Sequence, residues 1–325
     1  MSRVVFVLLP GVHLLDLAGP AQIFSTADDI GQPYTITYVA EREQVRSAQG
    51  LPLTAQTDWP DLGGDDLVIV PGWRAPTLAG GPAPGPATLA RLRAYHAAGG
   101  TVASVCAGAE ALGLAGLLDG RRCTTHHDLQ DELAARYPRA VVVRDVLFTV
   151  DDRVVTSAGI ASGIDLALHL LTVRHGPAFA ARVARNAVVY ARRNGDAPQA
   201  SIMLRHRGHL DDTVHHVQDL IDERFSEPLP LAYLAAHAGV SERTLTRLFH
   251  RATGGLTPLR YQQALRLEHA EHLISQGTTM ETAARAVGFE GARMLRRLRA
   301  QAPSRATVSN ASARGLAVPR VASHA

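Results

Sequence analysis

Residues Leu231 to Arg297 hold the same helix-turn-helix pattern twice, and few folds accommodate such a repeat. In the first copy Leu231, Leu234, Ala235 and Ala238 fall on one apolar stripe of a helix. Gly239 follows where a left-handed residue turns the chain, and Ser241 is a natural N-cap. Leu245, Leu248, Phe249 and Ala252 then restore the stripe, leaving Arg243, Thr246, Arg247 and His250 on the opposite face. In the second copy Met280, Ala283, Ala284 and Val287 form the stripe and Gly288 the turn. Leu295 and Leu298 face inward there, while Arg293, Arg296 and Arg297 face out. Hydrogen-bond donors on the outer face of a helix, held across a scaffold helix, are what reading a major groove requires. The repeat therefore predicts a double-stranded DNA operator as partner.

The chain has 325 residues, which suggests two domains. Hydrophobic residues make up 46% and charged residues 19%, so both halves can bury a core. The net charge of +3 is too small to argue nucleic-acid binding by itself. Every basic residue other than histidine is arginine, the residue best suited to phosphate and guanine contacts. Two cysteines, Cys106 and Cys123, make no disulfide framework, and no Cys/His spacing indicates zinc. Neither a metal nor another cofactor is expected. The opening MSRVVFVLLP reads as a buried first strand and not as a signal peptide. No apolar run approaches the ~20 residues of a membrane span, so no membrane partner and a reducing cytoplasm are expected.

Up to about residue 190, strand-like and helix-like segments alternate. Arg3–Leu9, 34–39, 67–70 and 101–105 read as strands, and 16–28, 87–98, 108–118 and 161–174 as helices. A helix near 129–137 and short strands at 141–143, 147–150 and 153–156 complete the series. Continuous apolar strands separated by helices indicate a mainly parallel sheet covered on both faces. Residues 191–213 are polar, with Gly and Pro, and read as a linker. The all-helical domain then runs over 214–301, with Thr257-Pro258 opening a helix to about 275 that connects the two helix-turn-helix units. Residues 302–325 read as a disordered tail.

Within the first domain Cys106 stands where the strand 101–105 turns into a helix through Ala107, Gly108 and Ala109. This is the pattern of a nucleophile elbow, at the carboxyl edge of the sheet where ligands bind. The helix N-terminus is expected to lower the thiol pKa. Asp16, just past the first strand, is placed to share a proton with the thiol or to orient a ligand. His126 is the nearest third partner, beside His127.

These stretches together resemble the GlxA-type transcriptional regulators of the AraC/XylS family, in which a PfpI-like (class I glutamine amidotransferase-like) domain precedes an AraC-type DNA-binding domain. The resemblance rests on VHLLDLAGPAQIF (12–24), VCAGAEALGLAGLLDGRRCTTHH (105–127), TSAGIASGIDLALHLL (156–171), LAAHAGVSERTLTRLFHRATGGLTP (234–258) and AARAVGF (283–289). It implies an α/β flavodoxin-like sandwich followed by an all-α domain with two helix-turn-helix units. It also implies a homodimer formed through the first domain, and a site lined by Asp16 and Cys106 with His126 nearby. Enzymes similar to the first domain, such as isonitrile hydratases, have threonine after the cysteine, where this chain has Ala107. No histidine follows Cys106 either, and both departures argue against turnover. At the other end, Arg299 stands where the first repeat has Phe249, and Ala302-Pro303-Ser304 replaces the family's final turn and helix.

Two functions are therefore expected. The first is a sequence-specific regulator whose first domain binds or senses a small molecule near Cys106, its effector unidentified. The second is a cysteine-dependent hydratase or amidase with a DNA-binding appendage.

Overall fold

The computed structural model describes residues 2–74, 77–189, 193–199, 205–275 and 277–301. The expected tail 302–325 lies outside the described residues. Contacts divide the chain into two units between Gln199 and Ala200.

In the first unit, strands β1 (Ser2–Val7), β2 (Tyr34–Val39), β3 (Gln44–Arg46), β4 (Pro52–Thr54), β5 (Leu67–Val70), β6 (Thr101–Val105), β7 (Arg122–Cys123), β8 (Val141–Val142), β9 (Phe148–Asp151) and β10 (Val154–Ser157) are interleaved with six helices. These are α1 (Leu14–Asp29), α2 (Pro86–Ala97), α3 (Ala109–Leu114), α4 (Gln130–Arg136), α5 (Ser162–His175) and α6 (Pro177–Asn186). The main sheet has the order β2-β1-β5-β6-β10-β9 and is parallel except for β9 against β10. Strands β5 and β6 are buried at every position, hence their unbroken apolar sequence. Alternation along β1 sends Val4 and Phe6 to one face and Val5 and Val7 to the other. The first face packs against Phe24, Leu166, Leu170 and Val183 of α1, α5 and α6. The second packs against Leu92, Leu112 and Leu133 of α2, α3 and α4. The result is the flavodoxin-like sandwich.

Three features depart from the sequence expectation. The strand near 141–143 does not join the main sheet; β8 pairs with β7 in a separate two-stranded ladder. The hairpin β3–β4 and helix α6 are additions to the expected series. Arg193–Gln199, within the stretch read as linker, is held against the first unit. Leu147 and Phe148 donate their N–H groups to the Gly195 carbonyl, beside the β9 edge. Arg193 grips the buried Asp165 carboxylate through Nε and Nη2 at 3.0 and 2.6 Å. The polar character of this stretch is thus spent on covering an edge strand and on a paired buried charge.

The second unit contains α7 (Asp212–Glu223), α8 (Leu231–His237), α9 (Glu242–Ala252), α10 (Pro258–Ser275), α11 (Met280–Ala286) and α12 (Ala292–Gln301). Ser241 and Thr279 accept hydrogen bonds from the N–H groups of Thr244 and Thr282, capping α9 and α11. Both turn glycines are left-handed, Gly239 at φ 66° and Gly288 at φ 85°. One apolar cluster joins Val214, Val217 and Ile221 of α7 to Leu234, Leu245, Phe249, Tyr261 and Leu265. The other joins Ala270 to Ala283, Ala284, Val287, Phe289 and Leu295. The second repeat therefore keeps a buried aromatic, Phe289, supplied from the turn and not from α12. Arg299, at the position equivalent to Phe249, faces Glu271 across 3.7 Å.

Candidate functional site

Cys106 directly follows β6 with φ 55°, a left-handed conformation that costs a non-glycine residue of order 1–3 kcal/mol. The sequence around it permits this turn by removing side chains. A Cβ on Gly108 would lie 2.0 Å from the Val70 carbonyl oxygen, so only glycine lets the backbone pass. A Cβ on Gly72, after β5, would lie 2.5 Å from Asp16 Oδ2 and 2.7 Å from Cys106 Cβ. A Cβ on Gly159, after β10, would lie 2.3 Å from Cys106 Cβ. Three strand ends thus close around the thiol.

Asp16 enters from the first turn of α1 and is wholly buried. Its Oδ1 accepts the Ile160 N–H at 2.6 Å, while Oδ2, turned toward Gly72 and Cys106, has no partner of good geometry. Ile160 itself is left-handed at φ 51°, an outlier for a β-branched residue. Strain at Cys106 and at Ile160 therefore meets at one carboxylate. Burial raises the Asp16 pKa, and the Ile160 N–H and the nearby His13 offset this only in part. The Cys106 thiol is likewise pushed far up, by burial first and by the adjacent Asp16 carboxylate second.

This corrects the expected low thiol pKa. The Ala107 N–H does favour the thiolate, but the helical structure at the elbow is only a single 3-10 turn, Cys106–Gly108, and then the short α3. That local field is outweighed by desolvation and a neighbouring carboxylate. Burial and the neighbouring carboxylate thus favour the thiol form of Cys106 over a free thiolate.

The structure brings Asp16 and Cys106 together, whereas His126 turns elsewhere. Its Nδ1 accepts the Asp128 N–H at 3.4 Å and its ring lies 4.1 Å from that of His127. Burial lowers its pKa. Among the described residues no hydrogen bond joins it to Cys106. His126, His127 and Asp128 do bring three ligand-type atoms within 4.8 Å of one another, on a rim where His127 and Asp128 are exposed. The residue that does hold the cysteine is Thr125, whose hydroxyl donates to the Cys106 carbonyl at 2.8 Å. Thr125, Gly159 and Ile160 had no role assigned from sequence, although all three lie inside the stretches that carry the family resemblance.

In the second unit Arg243, Thr246, Arg247 and His250 line one groove, together with Leu231 and Glu242. Arg243, Arg247 and His250 are exposed, and among the described residues neither arginine has a carboxylate partner. The Thr246 hydroxyl is turned back to the Glu242 carbonyl at 2.9 Å. On α12, Arg293, Arg296 and Arg297 are exposed as well, with Arg297 reaching Met294 Sδ at 3.1 Å.

The profile of the DJ-1/PfpI family matches residues 2–173, and a helix-turn-helix domain profile matches residues 234–302. The HTH-type transcriptional regulator CdhR of Pseudomonas aeruginosa is 31% identical over 83% of this chain and 80% of its own length. The isonitrile hydratase of Pseudomonas putida is 36% identical over 51% of this chain and 68% of its own. A crystal structure of an AraC family transcriptional regulator from Pseudomonas putida shares the fold, with TM-score 0.50 at 24% identity, over 57% of this chain and all of that one. The first unit spans the DJ-1/PfpI match and the second the helix-turn-helix match. The chain belongs to the DJ-1/PfpI family and, with its helix-turn-helix domain, to the DNA-binding HTH-type transcriptional regulators.

Proposed function

We propose that this DNA-binding regulator senses a small molecule or reactive species at the Asp16–Cys106 pair and reads its operator with the outer faces of α9 and α12. The observation that carries the sensing half is Asp16 Oδ2, wholly buried beside the Cys106 thiol without a hydrogen bond of good geometry, next to two strained residues. A buried polar atom left unsatisfied costs about 1–3 kcal/mol, and such sites persist where function holds them. An effector that donates a hydrogen bond to Oδ2 relieves that cost and binds the folded unit selectively. In the second unit Arg243 and Arg247 make base contacts, Thr246 and His250 support them, and Arg293, Arg296 and Arg297 bind mainly phosphates. On this reading two copies join through the first unit, as the family resemblance implies, and act in the cytoplasm. No described helix is long and apolar enough to cross a membrane.

A thermal-melt screen of small metabolites and oxidants against the full chain, repeated with Asp16→Asn, tests the sensing half. A compound that raises the wild-type Tm and leaves the variant's unmoved is the expected result. Absence of any Asp16-dependent shift overturns it.

The hydratase or amidase reading is favoured by one observation, the strained elbow that presents Cys106, and by the likeness to isonitrile hydratase. Against it stand the protonated thiol and the histidine turned to Asp128. Cys106-dependent turnover of isonitriles or amides, with Cys106→Ala as control, would decide for the enzyme.

A further inference from the structure

Arg266 lies in the middle of α10, the helix between the two helix-turn-helix units. Its guanidinium is spent on three main-chain carbonyls. Nε donates to Phe225 at 2.6 Å, Nη2 to Glu227 at 2.8 Å and Nη1 to Gly288 at 2.9 Å. The first two belong to the loop that enters α8, the scaffold helix of the first helix-turn-helix. The third is the turn glycine of the second. Gln262, one helical turn earlier, donates to the same Phe225 and Glu227 carbonyls at 2.9 and 2.7 Å.

The surroundings of Arg266 join the two repeats as well. A Cβ on Gly288 would stand 1.9 Å from the Ser226 carbonyl oxygen, so the second turn packs directly on the backbone of the first loop. The Phe225 ring stacks on His269 at 4.3 Å and borders both apolar clusters. The Phe289 ring lies 5.5 Å from the Arg266 guanidinium carbon. Among the described residues Arg266 has no carboxylate partner, and burial draws its pKa down. A half-buried cation satisfied only by carbonyls is a costly choice for stability alone. Its fit is geometric: the planar fork meets three separated carbonyls from three different nitrogens, whereas an ammonium presents its three donors from a single nitrogen.

We infer that Arg266 is a specificity-determining positioning residue: by clamping the Phe225, Glu227 and Gly288 carbonyls it fixes α9 relative to α12, and so sets the spacing between the two DNA boxes. The inference rests on both helix-turn-helix motifs reading DNA. One inserted base pair moves the second box by about 3.4 Å and turns it by about 35° around the duplex. A clamped pair of reading helices rejects that displacement, and a loosened pair follows it.

The test is a selection of the full chain on a random-sequence duplex library, followed by shift assays on the enriched duplex with one base pair inserted or removed between its boxes. Wild type is expected to lose about tenfold or more in affinity on either change. Arg266→Ala and Arg266→Lys are expected to select the same boxes but to show a spacing penalty below about threefold, with unchanged far-UV circular dichroism. Should Arg266→Ala not fold, Arg266→Lys carries the comparison. A folded variant that keeps the full spacing penalty overturns the inference, as does a wild type that selects a single box. A wild type that selects no sequence at all counts instead against DNA reading itself.

Discussion

The two functional regions are built in opposite ways. Around Cys106 the chain removes side chains, buries a carboxylate and a thiol, and holds Cys106 and Ile160 in strained conformations. On α9 it exposes arginines on a helix whose caps, turn glycine and apolar stripe all agree. The first arrangement costs stability, as the proposed sensing role requires; the second is locally stable and exposes charge. A sensor needs an element that is not at its energetic optimum, and a DNA reader needs a rigid one.

The contrast breaks most severely at Gly159. Gly159→Ala places a methyl 2.3 Å from Cys106 Cβ at a residue with φ 103°. A loss of about 2–4 kcal/mol in unfolding free energy is expected by denaturant titration, and a loss under about 0.5 kcal/mol would show the elbow to be loosely packed.

Asp16→Asn gives a smaller effect of opposite sign. Burial raises the folded pKa of Asp16 above the usual carboxylate value. Its contribution to stability is therefore full below the unfolded pKa and is lost as pH rises through the folded one. The wild-type Tm should carry that loss above about pH 4, and Asp16→Asn should remove it and melt higher at pH 7. A variant that melts lower than wild type at pH 7 would mean the ionised carboxylate is well solvated.

The least effect is expected on α12. Arg293→Ala should lower the salt dependence of DNA binding by about one phosphate contact and leave the base preference as it was. A changed base preference would make the second helix-turn-helix an equal reader.

Much of this division was legible in the sequence. The strand, cysteine and small-residue run of 101–109 announces the tight turn at Cys106, and the capped double repeat announces the helix-turn-helix pair. The thiol's direction of shift was not legible, because the dipole argument uses neighbours in the chain whereas burial comes from Gly72, Gly159 and Asp16, all distant in sequence. The left-handed Ile160 carries no compositional cue, since a β-branched residue is the least expected there. Phe289 replacing the aromatic missing from α12, and Arg266 binding carbonyls of Phe225, Glu227 and Gly288, depend on how α10 packs. A stripe of residues along one helix says which face is buried, not which backbone groups meet it.

The central claim is that the exposed face of α9 supplies sequence reading. It is tested most directly by measuring the affinity of the full-length Arg247→Ala variant for a selected operator at fixed salt. The account predicts a loss of about 1–3 kcal/mol, roughly five- to 150-fold, with relaxed preference at one base position and an unchanged Tm. Unchanged affinity together with an unchanged base preference would contradict it.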